Sequence, residues 1–193
     1  MGATVDETPV PGGTSPGNRQ QDDPVMKIAI ASGKGGTGKT TVAVNLAVLA
    51  AEAGQQVVFA DCDVEEPNAH VFLPTVWERE EKALLTIPRF DQDRCLGESC
   101  RVCLELCRFK AIIRMAGEIM LFPELCHGCG LCKLACPAGA VADDVRELGV
   151  VRSGVSRGIR MAGGLSRVGE AMSTPLIKAV KQSVNDAPLQ IWD

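Results

Sequence analysis

The sequence predicts an α/β fold: a parallel doubly wound sheet with a small α+β cysteine module inserted into it. Three observations predict this. Residues 26–32 (MKIAIAS) are a short apolar run, followed at once by a glycine loop and then by a helical pattern. Residues 56–63 (QVVFADCD) repeat the strand signal and end in two acids. Eight of the nine cysteines fall into two matching groups between residues 95 and 136.

Taken in order, residues 26–32 read as a buried parallel strand, because a continuous run with β-branched members suits a strand covered on both faces. Gly33, Lys34, Gly35, Gly36, Thr37, Gly38, Lys39 and Thr40 form a phosphate-binding loop. Residues 40–53 read as a helix with Gly54 as its stop. A strand, a glycine loop and a helix N-terminus make an anion site, with backbone N–H groups and the helix dipole aimed at phosphate. In that pattern Lys39 reaches the β- and γ-phosphates and the Thr40 hydroxyl ligates Mg²⁺. Thr41 completes the candidate binding stretch. The expected ligands are ATP and Mg²⁺. Asp61 and Asp63 close the second strand, and residues 64–68 leave it as a loop. Acids that merely end a strand at the surface are the bland alternative. Their place beside a phosphate loop favours a role in the site.

Cys126, Cys129, Cys132 and Cys136, followed by Pro137, form the C-x2-C-x2-C-x3-C-P run that holds 4Fe–4S clusters. Cys100, Cys103 and Cys107 recur 29 residues later as Cys129, Cys132 and Cys136. Cys95 breaks the register, since Cys126 lies 31 residues on, and the first group reads C-x4-C-x2-C-x3-C. The second run resembles a bacterial ferredoxin. In two-cluster ferredoxins the fourth cysteine of each run ligates the other cluster. Carried over by position, one cluster takes Cys95, Cys100, Cys103 and Cys136, and the other takes Cys126, Cys129, Cys132 and Cys107. Disulfides compete poorly, because no secretory signal is present. Zinc competes poorly too, because its ribbons use paired C-x2-C knuckles. Cys62, outside both runs, reads as a buried structural thiol.

The module is expected over residues 90–145, with residues 111–114 and 119–122 as a hairpin joining its halves. Its core is small, so ligation must supply much of its stability. Residues 149–155 and 158–162 read as short strands. Thr174 reads as an N-cap with Pro175 at the first helical position, and the helix runs to residue 184. A turn over residues 185–188 then leads into a strand over 189–193. Residues 25–89 and 146–193 form the two parts of the nucleotide-binding domain. Residues 1–24, with Pro9, Pro11, Pro16 and Pro24, are expected to be disordered.

Composition excludes several classes. A net charge of −4 gives no electrostatic case for nucleic-acid binding. With no tyrosine and 4% aromatics there is no stacking platform for single strands. No apolar stretch is long enough to span a membrane, and the protein is expected to be cytoplasmic.

The loop G-K-G-G-T-G-K-T, with Lys34 directly after the first glycine, resembles the deviant Walker A motif of the MinD/ParA group. With the Asp61/Asp63 segment, residues 121–129 (LFPELCHGC) and residues 164–173 (GLSRVGEAMS), residues 26–193 resemble MinD-superfamily P-loop ATPases that carry an inserted ferredoxin-like domain. The resemblance implies a P-loop NTPase acting as a homodimer through its nucleotide face, in which Lys34 reaches the partner's nucleotide. It implies that Asp63 orients or activates water, that Asp61 supports the magnesium shell, and that Asp193 is the Walker B-type acid. His127 is read as a loop residue that tunes a cluster without ligating it. The strand ending at Asp193 continues in the family into a D-x-P-P-G segment and further strands and helices. The sheet is therefore expected to be incomplete and the sequence truncated at its C-terminus, with these 193 residues insoluble or partly unfolded alone. The expected function is an ATPase that couples nucleotide state to electron transfer through two 4Fe–4S clusters, serving an unidentified redox or Fe–S client. The alternatives are an Fe–S cluster carrier of the Mrp type and a positioning ATPase, the last disfavoured by the inserted module.

Overall fold

The computed structural model describes residues 25–184 and 187–193. The segment 1–24, read above as disordered, lies outside the described residues, as do Asn185 and Asp186 of the expected turn. The elements run β1 (Met26–Ala29), α1 (Lys39–Glu52), β2 (Val57–Asp61), α2 (Ala69–Phe72), β3 (Val76–Phe90), α3 (Val102–Leu106), β4 (Ile112–Met115) and β5 (Glu118–Leu121). They continue as α4 (Leu131–Leu134), β6 (Val141–Ser156), β7 (Ile159–Ser166), α5 (Ser173–Ser183) and β8 (Leu189–Trp192).

Six strands form one sheet in the order β1-β8-β2-β7-β6-β3. The first four are mutually parallel. β6 and β3 are antiparallel additions, which corrects the expectation of a wholly parallel sheet. The cause is local. Arg157 and Gly158 both take positive φ, at 49° and 79°, and that two-residue turn returns β7 directly alongside β6. The strands read as 149–155 and 158–162 are therefore halves of longer ones. β6 starts at Val141 and β7 runs to Ser166.

β3 carries no apolar alternation in its first half, where Glu78, Arg79, Glu80, Glu81 and Lys82 are exposed. Charge on an edge strand blocks pairing with other chains, and hides the strand from a hydrophobicity reading. Here the charges pair across the ladder, Arg152 with Glu80 at 2.6 Å and Lys82 with Glu147 at 2.9 Å. The register shifts at Trp77/Arg79 and Ala83/Leu84. Gly154 and Gly149 sit opposite these shifts, where a Cβ would lie 2.2 Å from the Val76 and Leu165 carbonyl oxygens. At Gly154 β3 comes too close for a side chain, whereas at Gly149 the close neighbour is β7 on the other side of β6.

Helices cover both faces of the sheet. α1 packs Ala43, Val44 and Ala47 on Val57, Phe59, Ile159, Met161, Leu189 and Ile191. α5 packs Leu176 and Val180 on Ala162, Leu148, Ala83 and Val64. α5 begins at Ser173 with Met172 as its cap and no side-chain capping bond, so Thr174 is not the N-cap and Pro175 is not its first residue. The Met172 N–H is taken instead by the Glu170 carboxylate at 3.0 Å.

The cysteine module lies between β3 and β6. β4 and β5 pair as the expected hairpin around Ala116 and Gly117, both at positive φ. Ile87 of β3 packs with Ala111 and Cys126 into the module's small core. Gly128 has φ +64°, and a Cβ there would lie 2.7 Å from the Thr86 carbonyl, so the second cysteine loop sits directly on β3. Among the described residues no helix is long and apolar enough to cross a membrane.

Candidate nucleotide site and paired cysteine hollows

Parallel pairing brings the carboxyl ends of β1, β8 and β2 together. The Ile30 N–H donates to Trp192 O at 2.9 Å, Asp193 N to Ala60 O at 3.0 Å, and Cys62 N to Asp193 O at 3.0 Å. The phosphate loop, Asp193 and the Asp61/Asp63 segment thus share one edge of the sheet, the usual ligand crevice of such folds. In the loop, Thr37 Oγ1 donates to Ser32 Oγ at 2.8 Å, and Ser32 Oγ donates to Lys34 O at 2.8 Å. Gly36 and Gly38 take φ of 71° and 84°. Among the described residues no heavy atom lies within 4 Å of where a Cβ would stand at Gly33, Gly35, Gly36 or Gly38. The loop is open around its glycines and ends at the N-terminus of α1, which suits phosphate oxygens. Lys34 is exposed, while Lys39 and Thr40 are half-buried and Thr41 is exposed on the first turn.

The acids divide their work. Asp61 is buried, and its oxygens accept the N–H groups of Asp63 and Ala69, each at 3.1 Å. It fixes the loop that carries Asp63, and burial pushes its carboxyl up to about 6. Asp63 is exposed and accepts the Glu66 N–H at 3.3 Å. Both carboxylate oxygens of Asp193 are buried without a hydrogen-bond partner among the described residues. An orphaned buried carboxylate beside a phosphate cradle fits a hydrated Mg²⁺ site, and Asp193 fits it better than Asp61, whose oxygens are already engaged. Cys62 is half-buried with its thiol pushed to about 11 by burial, consistent with an inert thiol. A cavity of about 400 Å³, lined by Asp61, His70, Trp77 and Arg152 among others, opens beside this segment. The sequence did not point to it, since its walls come from four strands, α2 and a loop.

The eight module thiols separate into two hollows. Cys95, Cys100, Cys103 and Cys136 line one, and Cys107, Cys126, Cys129 and Cys132 line the other. Each hollow takes three thiols from one run and the fourth from the other. The Asp91 carbonyl accepts the Cys95 N–H at 3.1 Å, and Gly97 O accepts that of Cys100 at 3.1 Å, so the longer first spacing is absorbed in a turn. The Ala140 N–H points at Cys136 Sγ, 3.3 Å away. Burial, with neighbouring thiols adding to it, raises Cys103 and lifts Cys132 to about 11. A cation-rich or iron-bearing centre is what stabilises such crowded thiolates. No disulfide joins these thiols, and among the described residues no three Cys, His, Asp or Glu side chains close to the spacing of a single metal ion. Four thiols in each hollow match the donor count of a 4Fe–4S cluster. His127 stacks on Phe109, ring centroids 3.5 Å apart, at the rim of the second hollow.

Two arginines in this region have no signal in the sequence. Arg114 lines the first hollow, and Arg146 forms a buried fork with Glu170. No local pattern marks a residue whose partners lie in other elements.

The chain belongs to the CobQ/CobB/MinD/ParA nucleotide-binding domain family, whose model matches residues 28–187. It is 35% identical over 161 residues to an uncharacterised protein of Methanocaldococcus jannaschii, covering 81% of this chain and 54% of that protein. Over 48 residues it is 52% identical to an ATP-binding protein of the same organism, covering 25% of this chain and 18% of the relative. Over 74 residues it is 41% identical to the iron-sulfur cluster carrier protein of Bacillus subtilis, covering 36% of this chain and 20% of the carrier. The chain spans about half, or less, of the length of the curated relatives it matches.

Proposed function

We propose that the protein binds and hydrolyses ATP and couples its nucleotide state to electron transfer through two 4Fe–4S clusters. The observation that carries this reading is the sorting of eight thiols into two quartets within a chain of a nucleotide-binding family. Gly33–Thr41 cradle the phosphates, with Lys39 on the β- and γ-phosphates and Thr40 on Mg²⁺. Asp193 holds the magnesium water shell and Asp63 orients the attacking water, since phosphoryl transfer is mostly positioning and charge stabilisation. Lys34 acts across a homodimer. Cys95, Cys100, Cys103 and Cys136 hold one cluster, and Cys107, Cys126, Cys129 and Cys132 the other. When bound, the clusters supply one-electron chemistry. The loop after Asp61 is the element that answers to the γ-phosphate, as switch segments do.

A second reading, nucleotide-controlled delivery of Fe–S clusters, is supported by the names of the cluster-carrier relatives. The two readings part on occupancy: a carrier gives its cluster up to an acceptor, and a redox protein keeps both. Anaerobic reconstitution followed by iron and sulfide analysis tests the proposal. About eight irons per chain are expected, retained on incubation with an apo-acceptor protein. Cys136→Ser should damage the cluster built mainly from the first run. A zinc-only protein, or one whose visible spectrum ignores that substitution, overturns it.

A further inference from the structure

The two quartets sit in different electrostatic surroundings. Among the described residues the first hollow has one charged side chain in its wall, Arg114, which is 12% exposed. Its guanidinium donates to Cys100 O at 2.7 Å. Its nearest carboxylate, on Glu98, lies 3.7 Å away and is itself 82% exposed, so solvent screens that pair. Arg114 Nε is buried with no acceptor among the described residues. Among the described residues the second hollow has no arginine, lysine or carboxylate in its wall. Arg146 lies near Cys126, and its Nε also lacks an acceptor, but its charge is matched by Glu170, with both side chains less than a tenth exposed.

We propose that Arg114 sets the reduction potential of the cluster held by Cys95, Cys100, Cys103 and Cys136, a role that rests on the two-cluster reading above. Reduction adds one electron from an external one-electron donor and no proton, so the site gains one negative charge. A buried cation with a spare N–H donor favours that more negative state, and it does so strongly because little water intervenes. A buried guanidinium nitrogen with nothing to bond is costly to a fold. An anionic group filling the hollow removes that cost. Arg114 is a positioning and potential-setting residue, not a ligand.

The test is an EPR-monitored redox titration of anaerobically reconstituted full chain, as parent, R114K, R114Q and R114M. In R114Q and R114M one of the two reduction waves should move to lower potential while the other stays in place. The moving wave should be the one that Cys95→Ser removes. R114K, which keeps the charge, should stay closer to the parent than R114Q does. Unmoved waves in R114Q and R114M at full iron content overturn the proposal, as does an equal shift of both waves or an R114K that shifts as far as R114Q. Loss of the first cluster in all three variants makes Arg114 a folding residue and also overturns it. A parent that binds no cluster sinks the two-cluster reading itself, and iron analysis distinguishes that result from the others.

Discussion

Lys39 and Lys34 stand in one loop but answer to different charges. Lys39 is half-buried at the start of α1, whereas Lys34 is exposed at the loop's outer side. Lys39→Ala should abolish ATP binding, because it removes the cation that reaches the β- and γ-phosphates. Lys34→Ala should spare most of the binding and remove hydrolysis, because its target is the partner's nucleotide. Fluorescent-nucleotide titration beside a phosphate-release assay separates the two, and normal hydrolysis by the Lys34 variant would refute the deviant-loop role. Asp61 carries a pH signature. Its folded value of about 6 lies above its ordinary 3.8, chiefly through burial. The folded protein therefore keeps a proton that the unfolded chain releases between those values. That contribution to stability is full below about pH 4 and is lost as pH rises through about 6. Asp61→Asn should flatten this segment of the stability curve in nucleotide-free protein. Urea melts at a series of pH values would measure it, and an unchanged slope would count against the burial argument.

At the scale of elements, α5 seats tightly on β7. A Cβ at Gly164 would lie 2.8 Å from Val180 Cγ2 and from Val64 Cγ1, and 3.4 Å from Leu176 Cγ. Glycine lets the helix seat directly on the strand. Gly164→Val should lift α5 from the sheet and destabilise the protein by about 1–3 kcal/mol, the usual cost of overpacking. Gly169, at φ +81° with open space around it, takes no part in that contact. A melting temperature unchanged in Gly164→Val would show that α5 moves freely. The buried Arg146–Glu170 fork works at the same level. It ties β6 to the segment leading into α5, and Glu170 also accepts the Met172 N–H. One acid thus anchors an arginine near Cys126 and organises the start of the helix that packs against the nucleotide-bearing sheet.

At the scale of the whole molecule, the cysteine module rides on β3 and β6, the two strands added at the far edge from β1. The phosphate loop follows β1 at the opposite edge. An exposed Lys34 and an open loop leave the nucleotide face available for a second copy. ATP or a slowly hydrolysed analogue should therefore convert the protein from monomer to dimer in sedimentation velocity, and Lys39→Ala should remain monomeric. A sedimentation coefficient indifferent to nucleotide would refute dimerisation through this face.

The strand before the glycine loop was legible as a strand but not as a buried one, since β1 is short, lies at the edge of the sheet and is mostly exposed. The glycine loop, the helix after it and the β4–β5 hairpin were legible in the sequence, because each is written in neighbouring residues. The cysteine repeat was legible for the same reason, and the resemblance to ferredoxins supplied the crosswise grouping found in the two hollows. What only the tertiary structure decided depends on partners far apart along the sequence. β8 enters the sheet between β1 and β2, which places Asp193 beside the phosphate loop. β3 is a strand because β6 pairs with it along its length, although its charges suit solvent rather than a core. α5 starts after Met172, whose N–H is accepted by a Glu170 carboxylate that the distant Arg146 holds in place, where local propensity favours Thr174 as the cap. Arg114 gains its place in the first hollow from the hairpin that carries it. Sequence periodicity reports burial along one element. Which cation ends up beside which thiols is set by how the elements pack.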